Sequence, residues 1–291
     1  MTLRAAPLTI LHAAQALPLT CTRAGTCCHG KQVWITPWEL ARLAGAMGMD
    51  RREVVGRHTV DGGIRLRFSG DDHWRGQRAC DWYDAQRRGC RAYAARPLAC
   101  RLYPLGVRRV GDAVEYVHEG AALPCLDACP EVTALPQVSV GDYLAQQGVA
   151  EGLAAQEATL GLVAELGGAA FAVAVDSGLL WRDAPGVLRA WEGTIDEAPQ
   201  RRARALGEWL WPLLVPDVDD PDPRGFADHH QRLLSAALTR AFAALRDPAA
   251  LIAASATCLR LAAHLAQSAA GDAPALLRLW TGRLRQEAGR G

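Results

Sequence analysis

The chain has 291 residues, of which 50% are hydrophobic and 22% are charged. This composition is sufficient for a sizeable hydrophobic core and excludes a largely disordered polypeptide. Basic and acidic side chains nearly cancel to a formal net charge of +1, so the overall charge gives no reason to expect nucleic acid or an anionic membrane as a partner.

The segment from Ala5 to Thr20 has some features of a secretory leader, because it is fairly apolar. His12 and Gln15 interrupt the apolar run, and the residues just before Cys21 are not the small ones that a cleavage site needs. We therefore expect this segment to belong to the mature protein and the protein to be cytoplasmic.

The run from Thr36 to Glu39 has the features of a helix start. The threonine can cap the helix, Pro37 fits the first helical position, and the glutamate completes a capping box. We expect this helix to end near Met47, just before Gly48, and to anchor the cysteine-containing segment that precedes it.

The next local signals predict a turn, a strand and a hairpin. Asp61-Gly62-Gly63 predicts the turn, and the alternation of apolar and basic residues over Ile64–Phe68 predicts a half-buried strand. Gly111-Asp112 lies between two strand-like runs, Gly106–Val110 and Ala113–Val117, which predicts a hairpin with a primed turn.

Ala, Leu and Arg dominate after Pro136, and successive segments there have helical periodicity. The predicted helices are Val140–Gln147, Gly152–Leu166, Pro185–Trp191, Arg201–Trp211, His229–Leu245, Ala249–Ala266 and Ala273–Gln286. We expect Gly167-Gly168 to end the second of these helices and the following run, Ala170–Asp176, to form a buried strand. The second half thus reads as a helical bundle.

We expect no membrane-spanning helix in this chain. The most apolar stretch, Gly161 to Trp181, contains Glu165 and Asp176, and charged side chains are costly in the hydrocarbon of a bilayer. We expect no apolar run in the sequence to be long enough to span a bilayer.

Two histidines and two tryptophans in the second half are candidate binding residues, and each pair also has an ordinary structural interpretation. Asp228 is expected to cap a helix that carries His229 and His230 on its surface, which is more ordinary than a metal site. Trp209 and Trp211 are two residues apart, so both cannot lie on one side of a helix, and the edge of the core is their ordinary place.

The nine cysteines are distributed unevenly, since eight of them lie before residue 130. The eight are Cys21, Cys27, Cys28, Cys80, Cys90, Cys100, Cys125 and Cys129. In a reducing cytosol such a concentration is typical of metal binding or catalysis rather than of disulfides. We interpret them as metal ligands, with disulfides and inert buried thiols as the alternatives. Cys258 lies on an apolar helical stripe and is expected to be a core residue.

The spacing of the cysteines permits convergence on one or two metals. Cys125 and Cys129 are four apart, so one turn could offer both to one ion. Cys80, Cys90 and Cys100 are evenly separated by turn-like sequence. No C-x-x-C knuckle of an ordinary zinc finger is present, and neither is the C-x-x-x-C-x-x-C run of the usual radical enzymes.

Cys27 and Cys28 are adjacent, and adjacent side chains usually diverge. This pair is therefore expected to serve two sites, or to have one member that only packs. Arginines surround the later cysteines: Arg87, Arg88, Arg91, Arg96 and Arg101. Such charges would lower thiol pKa values and balance an anionic metal–thiolate site, although a solvated basic face is the plainer interpretation.

Three pieces of sequence occur in the order found in a known family. They are Cys21–Cys28 with the hydrophobic Val33–Leu40, then Cys80 with the string Cys90–Pro104, and finally Cys125/Cys129-Pro130. The string C-x-x-Y-x-x-R-P-x-x-C-R-x-Y-P is the most specific. Over about residues 15–135 the chain resembles the bacterial cysteine-cluster family that is named for its CxxCxxCC pattern and described as zinc- or iron-chelating.

The resemblance has one departure, because family members usually carry another cysteine where this chain has Ala24 before Gly25. His29 is the nearest substitute ligand. The resemblance implies a cysteine-ligated metal. Through the branch of flagellin lysine N-methylases it also implies an iron–sulfur protein that uses S-adenosylmethionine.

The sequence therefore predicts an α+β protein, with a small loop-rich cysteine-cluster unit over residues 1–135 and a mainly α-helical bundle over residues 136–291. The predicted function is metal binding by the eight clustered cysteines, with an iron–sulfur cluster (4Fe–4S favoured) or zinc as the cofactor. The alternatives are an S-adenosylmethionine-dependent protein (lysine) N-methyltransferase, which would have a protein substrate, and a thiol redox protein. Neither a membrane nor nucleic acid is an expected partner.

Overall fold

The structure is a computed structural model that describes residues 8–19, 25–111, 113–119 and 136–290. The chain divides into two compact units. The first comprises residues 1–33 and 67–153, and the second comprises residues 34–66 and 154–291. The predicted domain boundary after residue 135 stays a prediction.

The described elements are short strands in the N-terminal region followed by helices, which confirms the α+β class. The strands are β1 Leu8–Leu11, β2 Ala16–Leu17, β3 Thr59–Val60, β4 Arg65–Leu66, β5 Gly70–Trp74, β6 Gln77–Ala79, β7 Tyr83–Asp84, β8 Gly89–Cys90, β9 Gly106–Val110, β10 Ala113–Glu119 and β11 Val138–Ser139. The helices are α1 Pro37–Met47, α2 Arg51–His58, α3 Leu98–Leu102, α4 Val140–Gln146, α5 Val149–Val175, α6 Leu179–Arg182, α7 Ala184–Ile195, α8 Pro199–Leu206, α9 Leu210–Leu214, α10 Pro223–Phe242, α11 Pro248–Ser268 and α12 Ala273–Ala288.

The first unit contains a three-stranded antiparallel sheet in the order β1-β10-β9. The predicted hairpin is confirmed, because Ala113 of β10 pairs with Val110 of β9, and Gly111 has the positive φ of 59° that a primed turn requires. Leu8 to Leu11 pair with the other edge of β10. Two-stranded pairs β2-β11, β5-β6 and β7-β8 complete the strands of this unit.

Two small apolar clusters are formed by described residues of the first unit. One cluster contains the buried side chains of Leu11, Leu19, Leu105, Val140 and Tyr143. The other contains Leu98 and Leu102 of α3 together with Val149 at the start of α5. Each of these clusters is small, which fits the expectation of a loop-rich unit that would gain stability from a bound metal.

The helix predicted to start near Thr36 is confirmed in the second unit. Thr36 Oγ1 accepts a hydrogen bond from the Glu39 backbone N–H, and the Glu39 carboxylate accepts one from the Thr36 backbone N–H. This capping box begins α1, and Gly48 with a φ of 62° ends it. The strand expected over Ile64–Phe68 is shorter, since only Arg65 and Leu66 pair in β4.

The second unit has a large helical core. Side chains of α5, α7, α11 and α12 form it, and its fully buried members include Trp191, Leu259, Leu261 and Leu277. The Trp191 indole N–H donates to Ser255 Oγ at 3.1 Å. Cys258 has no exposed surface, which confirms its assignment as a core residue.

The strand expected after Gly167-Gly168 was wrong, because α5 continues as one helix through Val175. Gly167 lies against Trp280, where a Cβ atom would come within 2.5 Å of the indole ring, so this glycine permits close packing rather than ending the helix. The small buried residues Ala170 and Ala174 are one turn apart on the same face. A short apolar run alone cannot distinguish such a buried helix from a strand.

The expectation of two surface histidines was wrong for His230. Helix α10 begins at Pro223, where Asp222 caps it, so His230 lies in its interior and not in its first turn. Only 2% of His230 is exposed, and its Nε2 donates to the Pro212 carbonyl oxygen at 2.9 Å. His229 remains exposed.

The turn at residues 61–63 is confirmed, and buried polar groups hold it in the second unit. His264 of α11 donates from Nε2 to the Gly62 carbonyl oxygen at 2.9 Å. Asp61 accepts hydrogen bonds from Arg65 and from Gln200 of α8. Gly62 has a φ of 71°, and a Cβ atom there would meet Ala203, so both its conformation and its surroundings require glycine.

Two described helices, α5 and α11, are long and apolar enough to cross a membrane by length and composition. The expectation that no apolar run is long enough to span a bilayer was therefore wrong by the criteria of helix length and composition. The core helix of a soluble protein passes the same test, and two thirds of the apolar window of α11 is buried inside the structure. The absence of a membrane partner stays a prediction.

Candidate metal centre

The described cysteines of the first unit lie in turns and at the ends of short elements. Cys27 and Cys28 end a single helical turn that follows Gly25, whose φ is 78°. The Cys28 N–H donates to the Gly25 carbonyl oxygen at 2.8 Å, which closes that turn. Cys80 follows strand β6, so the two segments are fixed by different local structures.

Backbone hydrogen bonds join these two segments. The Cys80 N–H donates to the Cys28 carbonyl oxygen at 2.6 Å, and the Gly30 N–H donates to the Arg78 carbonyl oxygen at 3.2 Å. His29 forms an antiparallel bridge with Ala79 between these bonds. Residues 28–30 and 78–80 are thus held in a fixed register, although they are 50 residues apart in the chain.

Cys90 and Cys100 are carried by a hairpin and by a short helix. Cys90 pairs with Tyr83 across β7 and β8, and the neighbouring Arg91 N–H donates to the Trp82 carbonyl oxygen at 2.8 Å. Cys100 lies in α3, where its N–H donates to the Pro97 carbonyl oxygen at 2.9 Å.

The adjacent thiols of Cys27 and Cys28 lie close together, with their Sγ atoms 3.9 Å apart. Both cysteines are free, as are Cys80, Cys90 and Cys100. Two thiolates bound to one tetrahedral zinc ion at about 2.3 Å would be about 3.8 Å apart. The observed separation therefore fits two ligands of one metal, and the expectation that these side chains diverge was wrong.

The five described thiols lie within electrostatic reach of one another. Burial raises the pKa of Cys100 well above its ordinary value, and the charges of Cys80, Cys27 and Cys90 raise it further. Burial also raises the pKa of Cys80 to about 12, to which the charge of Cys90 contributes. Such mutual repulsion disfavours several free thiolates at once, and a bound cation would relieve it.

Cys27 differs from the other thiols in the direction of its shift. A hydrogen bond from the Cys28 thiol lowers the pKa of Cys27 to about 7, and the charges of Arg96 and Lys31 add to this effect against the opposing effect of burial. Donation of that hydrogen bond raises the pKa of Cys28 above its ordinary value. Cys27 is therefore the most readily ionised of these thiols.

The side chain of Arg101 holds the loop that precedes Cys100. The Arg101 guanidinium donates to the carbonyl oxygens of Arg96 at 2.6 Å and Ala94 at 3.0 Å, and also to that of Gln147 at 3.0 Å. Arg96 itself lies 3.8 Å above the ring of Tyr93. These contacts give a structural reason for Tyr93, Arg96 and Arg101 in the Cys90–Pro104 string.

Tyr103, the second tyrosine of the Cys90–Pro104 string, makes contacts through both its backbone carbonyl and its ring. The Tyr143 hydroxyl donates to the Tyr103 carbonyl oxygen at 2.6 Å, and the Lys31 ammonium group lies 4.7 Å from the centroid of the Tyr103 ring. Lys31 is thereby kept near the cysteine segment whose thiol it affects.

His29 adds a nitrogen donor that lies in the same segment as the adjacent thiols. Its side chain is 3% exposed, and its Nε2 is buried without a hydrogen-bond partner among the described residues. An unpartnered polar atom of this kind fits a group that binds a metal. Thiol and imidazole are donor types that suit zinc and iron.

No group of three or more Cys, His, Asp or Glu side chains in the described ranges is already arranged to hold a metal ion. Three predicted ligands, Cys21, Cys125 and Cys129, lie outside the residues that the structure describes. The assignment of all eight cysteines as ligands stays a prediction. The contact of His29 Nε2 with Asp72 Oδ2, 3.6 Å apart, was not predicted from the sequence, because the two residues lie in segments that are far apart in the chain.

The comparisons with known proteins gave one match. Residues 20–120 match the family model "CxxCxxCC: Putative zinc- or iron-chelating domain". This confirms the family resemblance for the segment that contains the five described thiols and supports metal binding. No curated protein and no solved structure matches the chain.

Proposed function

We propose that this chain is a cytoplasmic metal-binding protein whose first unit holds a cysteine-ligated iron–sulfur cluster or zinc ion. The observation that carries the proposal is the pair of Sγ atoms of Cys27 and Cys28, 3.9 Å apart, with the charges of Cys90 and Cys100 acting on the same pair. Thiols so arranged are natural metal ligands, and a bound metal would link the short segments that carry them.

We favour an iron–sulfur cluster over zinc. The irregular spacing of the cysteines differs from that of structural zinc sites, and the family resemblance includes iron–sulfur proteins. Positive charge from Arg96 and Lys31 near Cys27 would help to balance the net negative charge of a cluster with thiolate ligands. Thiolates bind both metals, so ligand type alone does not choose between them.

Anaerobic purification followed by elemental analysis tests the proposal. A brown protein that contains iron and acid-labile sulfide would establish a cluster, and a colourless protein with stoichiometric zinc would establish a zinc site. We expect Cys100→Ser to lose most of the metal. Cys258→Ser is the matched control, because this buried thiol lies in the helical core and should not affect metal content. Metal-free wild-type protein from iron- and zinc-supplemented anaerobic culture would contradict the proposal.

A thiol redox protein is the second candidate, favoured by one observation. The lowered pKa of Cys27, about 7, would make this thiol a good nucleophile beside the Cys28 thiol. This function requires Cys27 to react with an alkylating reagent in the native, metal-loaded protein. Protection of both thiols until a chelator is added would contradict it.

The S-adenosylmethionine-dependent N-methyltransferase, with a protein substrate, rests on the family resemblance alone. Calorimetry with the metal-loaded full chain tests it directly. If S-adenosylmethionine does not bind while the metal is intact, this alternative is wrong, and the metal-binding proposal stands.

A further inference from the structure

Cys27 and Cys28 are the described thiols whose sulfur atoms contact each other. Their Sγ atoms are 3.9 Å apart, and both cysteines are free. The Cys80 sulfur lies instead against the backbone of Trp82. A disulfide has an S–S length of about 2.05 Å, so the adjacent sulfurs need to approach by only about 2 Å to form one.

Hydrogen bonds fix the backbone on both sides of this pair. The Gly25 carbonyl oxygen accepts from the Cys28 N–H at 2.8 Å and lies 3.0 Å from His29 Nδ1. The Cys28 carbonyl oxygen accepts from the Cys80 N–H at 2.6 Å. The turn thus holds the two thiols side by side before any oxidation, and neither has to be brought from elsewhere in the chain.

A disulfide between adjacent residues is strained. Neighbouring Cα atoms are about 3.8 Å apart, whereas the Cα atoms that a disulfide joins are usually about 4.4–6.8 Å apart. Strain makes a disulfide easier to reduce, and labile disulfides of this kind are typical of regulation rather than of permanent cross-links. In reducing surroundings the pair therefore stays as thiols, and its disulfide forms only when an oxidant is present.

The pair is also open to a small oxidant. Both thiols are partly exposed, whereas Cys80 is buried and Cys258 has no exposed surface. Cys90 and Cys100 are partly exposed too, but no sulfur–sulfur contact joins them to another described thiol. Because susceptibility to oxidation follows exposure, the adjacent pair combines access with a partner thiol in contact.

We propose that Cys27 and Cys28 are a reversible switch, in which a peroxide joins them in a disulfide and the metal loses both as ligands. One thiolate attacks the peroxide, whose O–O bond breaks to give a sulfenic acid and hydroxide. The neighbouring thiol then attacks that sulfur, the S–S bond forms, and the sulfenic oxygen leaves as water with the proton of the thiol. The two sulfurs are oxidised and the peroxide is reduced, and a dithiol reductant reverses the change.

This inference rests on the proposed metal-binding function and adds its regulation. It differs from a thiol redox protein, in which Cys27 would act on a substrate, because here oxidation removes two metal ligands. Thiolate is the form of cysteine that binds metal, and the sulfurs of a disulfide are no longer thiolates. The redox state of the pair therefore controls whether the metal is held.

Peptide mapping of the zinc-loaded full chain tests the switch. Trypsin cleaves after Arg23 and Lys31, so residues 24–31 form one peptide that holds both thiols and no other cysteine. Zinc is the probe because it has no redox chemistry of its own. After a single equivalent of hydrogen peroxide and alkylation in denaturant, we expect this peptide to be unalkylated and two hydrogens lighter, with release of most of the zinc. Dithiothreitol should restore both alkylation and zinc binding.

Two variants serve as controls. Cys258→Ser should form the same disulfide and release zinc as the wild type does, because this thiol is buried in the helical core. In Cys28→Ser we expect a sulfenic acid on Cys27 that dimedone traps, since no neighbouring thiol is present to displace its oxygen.

The outcomes separate this inference from the function on which it rests. A 24–31 peptide that stays reduced, that carries sulfinic or sulfonic acid, or that is linked to the peptide of Cys90 or Cys100 would overturn the switch. Retention of zinc by protein whose 24–31 disulfide is fully formed would also overturn it. Each of these results leaves zinc binding by the untreated protein intact, whereas wild-type protein that binds neither zinc nor iron would overturn the proposed function and the switch with it.

Discussion

The largest fully buried side chains of the described residues all belong to the second unit, among them Trp191, Leu213 and Leu259. The described part of the first unit has two small apolar clusters, and its five free thiols and the buried imidazole of His29 lie in turns and short elements. Burial of apolar surface can stabilise the second unit, since each large side chain contributes about 1.5–3 kcal/mol. Fewer apolar side chains are buried among the described residues of the first unit, and the largest of them is Trp82.

This difference indicates two sources of stability within one chain. Short strands and turns in the first unit position thiols whose charges repel one another, and a bound cation would convert that repulsion into attraction. The second unit contains one free cysteine, Cys258, which is simply part of the core. The following predictions test this contrast, from the largest expected effect to the smallest.

Removal of the metal should unfold the first unit and leave the second folded. Metal binding and folding are coupled where a small core cannot hold the ligands in place, and binding is worth about 10–16 kcal/mol in zinc-finger peptides. Hydrogen exchange with mass spectrometry, with and without a chelator, should show loss of protection over residues 67–119 and retained protection in α7, α11 and α12. Equal loss in both units, or no loss in either, would contradict the contrast.

Trp191→Ala should destabilise the second unit by about 3–5 kcal/mol, because it removes a fully buried side chain that donates to Ser255 and packs edge-on against Phe171. Chemical denaturation followed by helical circular dichroism measures the loss. Trp181→Ala is the control, since 53% of that side chain is exposed. Metal content should stay unchanged in both variants, and loss of metal in Trp191→Ala would show that the units are not independent.

The second unit should lose stability in acid through two buried histidines. Burial lowers the pKa of both His230 and His264 to about 4, from 6.5. Between these values the unfolded chain binds more protons than the folded one, so stability falls as the pH drops from about 6.5 to 4. At about 1.4 kcal/mol per pKa unit, each histidine accounts for about 3 kcal/mol.

Denaturation of the second unit at a series of pH values checks this dependence. His264→Gln should flatten the curve between pH 6.5 and 4, because glutamine can still donate to the Gly62 carbonyl oxygen but does not titrate. His229→Gln, at the exposed neighbour of His230, should leave the curve unchanged. An unchanged slope in His264→Gln would show that this histidine is not the acid-sensitive group.

Thr36→Ala should destabilise the second unit by about 1 kcal/mol through loss of the α1 cap. Thr36→Ser keeps the hydroxyl that accepts from the Glu39 N–H and should recover most of that loss. Denaturation midpoints at pH 7 measure both changes. Equal losses in the two variants would assign the effect to the missing methyl group rather than to the hydrogen bond.

Several elements were predictable because their determinants are close together in the chain. The capping box at Thr36, the hairpin around Gly111 and most helices after Pro136 follow from signals within a few residues, although the helix predicted over Arg201–Trp211 is interrupted at Gly207. The continuation of α5 past Gly167 was not predictable in this way. That outcome depends on Trp280, which lies more than 100 residues away in sequence and occupies the space beside the glycine.

The sequence by itself determined the chemistry of this protein: a concentration of thiols in its first half, the family to which that segment is similar, and the α+β class. Only the tertiary structure decided that the Cys27 and Cys28 thiols converge, and that the buried Nε2 of His29 makes no hydrogen bond but lies 3.6 Å from Asp72 Oδ2. The physical reason is that residue types and local spacing fix which donors are available. Their distances depend on backbone pairing between segments that are far apart in the chain, here residues 28–30 with 78–80.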